Sequence, residues 1–232
     1  MASFQRCELL MKASFFTLPV KLKRQSQFAC VHSKRHPEPR TKRSNDMNIL
    51  TKWDAGLNYD EFLKKYASAE QHRQWNAVYN DVSLTAAQQT LLKSFQRDML
   101  VAVAAGAWCG DCIQQCPIFE VFAKQTTRLQ IRYFDRDEHG DIADELSICG
   151  GRRVPSVLFM AEDGAPCGRY GDRTLAKYRD SAASLGGAAC PTGIVLPGAS
   201  LQAAVIQEWL EQFERVQLML RLSPRLRQKH GD

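Results

Sequence analysis

Long apolar runs are missing from this chain of 232 residues. None reaches the roughly 18 to 20 residues that a helix needs to cross a bilayer, so we expect no membrane partner. Histidine is also scarce, and the five histidines never fall at the spacing of paired metal ligands. That spacing argues against a histidine-based metal site. No internal repeat is visible, which argues against a solenoid or a propeller.

Most of the chain has no excess of positive charge, although the formal net charge is +6. Residues 1–46 hold ten Lys and Arg against three Asp and Glu, whereas the remainder holds 21 against 22. A nucleic-acid-binding protein would need a basic stripe on its folded part. Because the folded part is nearly neutral, we expect no nucleic-acid partner.

Residues 1–46 have few periodic apolar residues and end in a polar run, so disorder is the expected state of this basic leader. Three interpretations remain open: an extension upstream of a true start at Met47, an organelle transit peptide, or a solvated anion-binding tail. The apolar stretch 13–20 is short, contains Pro19 and precedes no small-x-small cleavage site. We therefore expect a cytoplasmic protein rather than a secreted one.

Cysteine, in contrast, is abundant. The eight residues are Cys7, Cys30, Cys109, Cys112, Cys116, Cys149, Cys167 and Cys190. An even cysteine count indicates a disulfide framework only in a short secreted chain. For this longer chain we expect a reducing compartment in which most thiols stay free.

The stretch 101–112 carries the chemistry. An apolar run predicts a buried strand, and the sequence Trp108-Cys109-Gly110-Asp111-Cys112 follows it at the start of a predicted helix. At a helix N-terminus, unpaired N–H groups and the helix dipole favour the thiolate of the first cysteine. A thiolate attacks disulfides, and the second cysteine then resolves the mixed disulfide. Redox exchange is thus the favoured function of this pair, with a structural pair or a metal site as alternatives.

Hydrophobic periodicity predicts the remaining elements. Strands are predicted over residues 99–105, 129–134, 157–160 and 166–170, with a hairpin turn between the last two. Helices are predicted over 58–80, from Thr85, from the motif to about Lys124, over 141–146, over 174–185 and along the C-terminal stripe. That stripe consists of Leu201, Val205, Trp209, Phe213, Val216 and Leu220. Asn58 with Glu61, and Thr85 with Gln88, have the spacing of capping boxes.

The order of these elements over about residues 85–185 resembles the thioredoxin family. Three features carry the resemblance together: the Trp-Cys-Gly-Asp-Cys motif, Pro117 five residues after Cys112, and Val154-Pro155 about 43 residues after it. The run 150–155 and the motif look like a bacterial thioredoxin-like branch of that family. The resemblance implies an α/β fold, with a central mixed sheet flanked by helices and extra helices at both ends.

We predict that the chain is divided into four parts. They are a basic leader over 1–46, a helical extension over 47–84, the thioredoxin-like domain over 85–186, and a loop with a packed C-terminal helix over 187–232. The basic end from Pro224 is expected to fray.

By resemblance, Cys109 is the nucleophile and Cys112 the resolving cysteine of a redox-active Cys109–Cys112 disulfide. Trp108 covers the site, Gly110 and Asp111 lie between the sulfurs, and Pro155 is a cis-proline facing them. Val154, which precedes it, offers its backbone to an extended substrate. The implied activity is thiol–disulfide exchange with protein or small-thiol substrates. It requires an external reductant, no cofactor and no metal, and we expect a monomer.

Two positions depart from thioredoxin. Asp111 stands where thioredoxins have proline, and like-charge repulsion by its carboxylate is expected to make the thiolate scarcer. Val103 stands where thioredoxins carry a buried acid, so Asp111 or a water is the candidate substitute. This departure keeps a second hypothesis open, namely a thioredoxin-fold adaptor or redox sensor without efficient turnover.

Other candidate groups have simpler explanations. Cys116 extends the motif to a three-cysteine pattern, but a small buried apolar role is favoured over a metal cluster. Cys149 is a candidate third redox thiol, whereas Cys167 and Cys190 are expected to be bystanders. The acidic residues Asp135, Asp137, Glu138 and Asp141 are interpreted as a solvated loop rather than a cation site.

Overall fold

The computed structural model describes residues 49–184 and 200–232. The predicted leader over 1–46 and nearly all of the predicted loop over 186–200 lie outside these residues. Cys7, Cys30 and Cys190 lie outside them too. The interpretations of these segments therefore stay predictions.

A four-stranded sheet forms the centre of the fold, in the order β2-β1-β3-β4. The strands are β1 (Met99–Ala105), β2 (Leu129–Asp135), β3 (Ser156–Ala161) and β4 (Pro166–Gly171). β1 runs parallel to β2 and antiparallel to β3, and β3 forms an antiparallel hairpin with β4. Every residue of β1 is buried, as its continuous apolar run predicts for a central strand covered on both faces.

Eight helices surround the sheet in the described ranges, preceded by a 3₁₀ turn over Ile49–Ala55. They are α1 (Tyr59–Tyr66), α2 (Ala69–Asp81), α3 (Ala86–Lys93), α4 (Gly110–Ala123), α5 (Gly140–Glu145), α6 (Leu175–Ser184), α7 (Leu201–Leu222) and α8 (Pro224–His230). The predicted mixed sheet flanked by helices, with extra helices at both ends, is thus confirmed. None of the described helices combines the length and apolar composition needed to cross a bilayer.

The helix starts follow from local capping. Both predicted capping boxes are present: Asn58 exchanges hydrogen bonds with Glu61, and Thr85 exchanges them with Gln88. The single helix predicted over 58–80 is wrong, because a third capping box at Ser68 starts a separate helix there. Ala67, just before it, has an extended backbone that ends the first helix.

The C-terminal helix α7 completes the hydrophobic core. The Phe213 ring lies edge-on to Phe122 at 5.4 Å and to Phe159 at 5.1 Å between ring centroids, and it also contacts Phe119. These rings come from α4 and β3, so α7 covers one face of α4. Leu201 was predicted in the buried stripe but is exposed, because it lies in the first turn of the helix.

The basic end after Pro224 is helical rather than frayed. Leu226 of α8 is buried in the core, and two ion pairs, Arg225 with Asp163 and Lys229 with Glu162, tie the helix to the β3–β4 hairpin. The prediction missed these contacts because the acidic partners lie about 60 residues earlier in the chain.

The packing of α7 predicts a large stability effect for Phe213→Ala. Truncation of this fully buried ring should lower the free energy of unfolding by about 3–5 kcal/mol, measured by urea denaturation. The matched control is Leu222→Ala at the exposed end of the same helix, which should change it by less than about 0.5 kcal/mol. Equal small effects of both variants would contradict a core role for α7.

Candidate active site

The motif lies at the corner where β1 ends and α4 begins. Cys109 is the N-cap residue of α4, and its backbone is extended, with φ −80° and ψ 123°. Its N–H donates to the Gly106 carbonyl at 3.0 Å, which closes the turn after the strand. The first cysteine therefore stands at the helix N-terminus and is half-buried, while Cys112 lies one turn further on and is fully buried.

The Cys109 thiol faces the loop that precedes β3. It donates to the Val154 carbonyl with an Sγ–O distance of 3.5 Å. The Val154–Pro155 peptide bond is cis, as the resemblance implies. The structure thus brings Cys109, Val154 and Pro155 together, although some 45 residues separate them along the chain.

Cys112, the predicted resolving cysteine, has no access to solvent. Cys112 Sγ accepts from the Gly106 N–H at 3.5 Å, and burial raises the pKa of this thiol well above its usual range. Cys116, one turn further along α4, is also fully buried, as predicted for a small apolar residue. Burial therefore holds Cys112 as a neutral thiol.

Two opposing effects act on the Cys109 thiol. Hydrogen bonding to Cys112 raises its pKa, and partial burial raises it further. The backbone N–H groups of Cys112 and Asp111, at the start of α4, lower the pKa but less strongly. The N–H groups at the helix N-terminus thus lower the pKa of Cys109, as expected. The hydrogen bond between the two sulfurs raises it by more.

Trp108 lies beside the sulfurs with 48% of its surface exposed. The Arg136 guanidinium lies over its ring, 4.4 Å from the ring centroid. Gly106 makes room for the ring, because a Cβ at this glycine would stand 2.8 Å from a ring carbon. The indole is therefore held over the corner without being buried.

A tryptophan from the N-terminal extension fixes the same corner. Trp75 of α2 is fully buried, and its Nε1–H donates to the Ala107 carbonyl at 2.9 Å. Trp75 lies in the helix predicted over 58–80, but periodicity carries no signal for a hydrogen bond 32 residues away.

Gln115 is a second buried support that the sequence prediction missed. Its Oε1 accepts from Trp209 Nε1 of α7 at 2.8 Å. Its Nε2 donates to the Asp172 carbonyl at 2.9 Å and to the Asp111 carbonyl at 3.2 Å. Gln115 is buried because α4 is covered both by the sheet and by α7.

Asp111 does not stand as an isolated charge between the cysteines. Its Oδ2 accepts from Arg173 Nε at 2.8 Å, and Arg173 Nη2 lies 2.8 Å from the same oxygen. This ion pair corrects the expectation of an unopposed carboxylate beside the thiols. Val103, where thioredoxins have an acid, is fully buried in β1 opposite Tyr133 and Val157.

The other candidate groups have ordinary surroundings. Cys149 is exposed with a left-handed backbone, φ 51°, and Cys167 is half-buried in β4. Each carboxylate of the predicted acidic loop has a protein partner: Asp135 accepts from two backbone N–H groups, and the other three pair with Arg136, Lys65 and Lys52. Within the described ranges, no three His, Cys, Asp or Glu side chains gather as a metal site would require.

Because β4 approaches Pro155 closely, two glycines of that strand should differ sharply in the stability cost of substitution by alanine. A Cβ at Gly171, where φ is 138°, would meet the Pro155 carbonyl oxygen at 2.3 Å, whereas one at Gly168 would meet only Arg215 Nη1 at 3.9 Å. Gly171→Ala should therefore cost about 2–5 kcal/mol of unfolding free energy. Gly168→Ala should change it by less than about 1 kcal/mol. Similar values for both in thermal and urea unfolding would refute this packing.

The Trp75–Ala107 hydrogen bond predicts a specific loss in Trp75→Phe. The variant leaves the buried Ala107 carbonyl unpaired, which should lower the unfolding free energy by about 1–3 kcal/mol and speed amide exchange in the 106–109 loop. Tyr59→Phe is the matched control, because its ring is edge-on to Trp75 and its hydroxyl has no hydrogen-bond partner in the described structure. A Trp75→Phe variant as stable as this control would contradict the assignment.

Comparison with known proteins agrees with this fold. The sequence model of the thioredoxin family matches residues 56–181, more than half of the chain, and so includes α1 and α2. No curated protein matches the chain. A protein of unknown function from Pseudomonas aeruginosa aligns at 15% identity with a TM-score of 0.57, covering 71% of this chain and 93% of its own. An HIV epitope-scaffold aligns at 17% identity with a TM-score of 0.54, covering 72% and 95%.

These two likenesses concern the fold alone, since both identities are low. The family match covers β1, α4 and the whole of the β3–β4 hairpin, which are the elements that bring Cys109 to Pro155. By fold and by family match, this chain belongs to the thioredoxin family.

Proposed function

We propose that the protein is a thiol–disulfide oxidoreductase that works through Cys109 and Cys112. The observation that carries the proposal is the position of the Cys109 sulfur. It is half-exposed at the N-cap of α4 and 3.5 Å from the Val154 carbonyl, while Cys112 is buried one turn behind it. An accessible first sulfur next to a protected second one is the arrangement that two-step disulfide exchange requires.

In the first step, the Cys109 thiolate attacks one sulfur of a substrate disulfide. The substrate S–S bond breaks, a mixed disulfide forms on Cys109, and the departing substrate sulfur takes up a proton. Cys112 then loses its proton and attacks the Cys109 sulfur, which releases the second substrate thiol. Two electrons pass to the substrate and leave a Cys109–Cys112 disulfide, so an external dithiol reductant has to regenerate the pair.

The surroundings of Cys109 support a protein or peptide substrate. The Val154 backbone, beside the cis Pro155, offers hydrogen-bonding groups to an extended chain. The half-exposed Trp108 ring offers apolar contact area next to them. Gly110 adds no side chain at the first helical position, where a Cβ would meet nothing within 4 Å. A cytoplasmic location is part of the proposal, because the exchange needs a compartment whose reductants keep the pair reduced. We also propose that the protein is a monomer.

The decisive experiment equilibrates the reduced protein with glutathione redox buffers, followed by thiol trapping and mass spectrometry. We expect one disulfide, between Cys109 and Cys112, with a reduction potential of about −200 to −300 mV. Insulin reduction should disappear in Cys109→Ser. Cys112→Ser should accumulate mixed disulfides, because the resolving thiol is missing. Cys167→Ser, in β4, is the control and should retain wild-type activity.

The outcome also decides between the two hypotheses left open by the sequence. If the pair stays reduced, or another cysteine pair oxidises first, the oxidoreductase proposal is wrong. In that case the adaptor or sensor function, with thiols that do not turn over, becomes the better description.

A further inference from the structure

An ion pair is built into the redox motif itself. Asp111, between the two cysteines, receives Arg173 through two nitrogens, each 2.8 Å from Oδ2. The Asp111 and Arg173 side chains are only 17% and 34% exposed. Because both charges are partly shielded from water, their interaction is stronger than that of a surface ion pair.

We propose that Arg173 is a positioning residue of the dithiol site, an inference that rests on the proposed function. Arg173 neutralises Asp111 and so keeps that carboxylate from opposing thiolate formation at Cys109. Asp111 is the second residue of α4, and its own backbone N–H helps to lower the pKa of the Cys109 thiol. Its carboxylate would place negative charge where the helix N-terminus otherwise favours a thiolate. Arg173 cancels this charge from another part of the fold.

The turn between β4 and α6 holds Arg173 in place for this role. The Asp172 carbonyl accepts from Gln115 at 2.9 Å, which ties the turn to α4. The Asp172 carboxylate accepts from Arg153 at 3.3 Å and from the Tyr178 hydroxyl. Burial opposes ionisation of Asp172, but these two hydrogen bonds, a backbone N–H and the Arg153 charge together outweigh it and lower its pKa. The turn is thus anchored on three sides, and Arg173 reaches Asp111 from a fixed base.

The other charged groups around the site already have partners. Arg136 lies over Trp108 and pairs with Asp137, Arg153 pairs with Asp172, and Lys177 donates to Gln114. The charged and titratable groups in and around the motif are thus Cys112, Cys116, Asp111, Arg136, Asp137, Arg153, Asp172, Arg173, Lys177 and Tyr178. Among them, Asp111 is the one charged residue between the two cysteines in the sequence, and Arg173 is its partner.

Removal of one partner at a time should move Cys109 in opposite directions. Arg173→Ala exposes the Asp111 charge, so the pKa of Cys109 should rise and its thiolate fraction at pH 7 should fall. Asp111→Asn leaves Arg173 as an unopposed positive charge, so the pKa should fall. The double variant lacks both charges and should return close to the wild type. If the ion pair were only structural, all three variants would change the thiolate fraction of Cys109 in the same direction.

The experiment measures the rate of iodoacetamide alkylation at Cys109 in the reduced full chain between pH 6 and 10, with mass spectrometry to separate Cys109 from the other thiols. At pH 7 we expect Arg173→Ala to slow alkylation by about three- to tenfold, which corresponds to at most about one pKa unit. Asp111→Asn should speed it, and Arg173→Lys should restore most of the rate because it retains the charge.

Arg169→Ala is the matched control, since Arg169 lies on β4 and pairs with Glu145 outside the motif. Superimposable profiles for Arg173→Ala and Arg169→Ala would overturn the proposal, as would an equal slowing in Arg173→Ala and the double variant. If Arg173→Ala fails to fold, the opposite shift in Asp111→Asn still decides, and its absence refutes the role. Alkylation needs no turnover, so the expected profiles in a wild-type protein that cannot reduce insulin would refute the proposed function alone.

Discussion

The buried amide of Gln115 is the contact on which the geometry of the dithiol depends. It accepts from Trp209 of α7 and donates to the backbone of the turn after β4. A buried amide left without partners costs about 1–3 kcal/mol, so these elements have to take their positions together. The C-terminal helix is therefore part of the support of the site, although Trp209 lies 94 positions from Gln115 along the chain.

The other extra helices act on the opposite side of the same corner. Trp75 of α2 holds the Ala107 carbonyl, and the aromatic cluster around it joins α1 and α2 to Tyr133 of β2. The loop before Cys109 is thus fixed by a side chain rather than by the sheet alone. Because the loop cannot relax freely, the first sulfur stays at the helix start in both steps of the proposed exchange.

The charges of the site are balanced pair by pair. Arg173 faces Asp111, Arg153 faces Asp172, and Arg136 lies between Trp108 and Asp137. Such local balance leaves burial and sulfur pairing as the main influences on the thiols. Both raise the pKa of Cys109. The site therefore has a protected, weakly acidic dithiol instead of a strongly activated thiolate.

The sequence by itself determined the four strands and most of the helices in their order, because strand and helix periodicity and capping boxes act over only a few residues. The capping pairs Asn58–Glu61 and Thr85–Gln88, the buried strand β1 and the cysteines at the start of α4 all follow from such local patterns. Ser68, which splits the first helix, had the same local signal in Gln71, but the predicted apolar face ran across it.

Only the tertiary structure decided which side chains support and neutralise the site. Trp75 meets Ala107 across 32 residues, Arg173 meets Asp111 across 62, and Trp209 meets Gln115 across 94. Periodicity shows which face of a helix is buried, but it does not show which partner lies opposite that face. That choice depends on how α2, α7 and the β4–α6 turn pack around α4, and packing is a property of the whole chain.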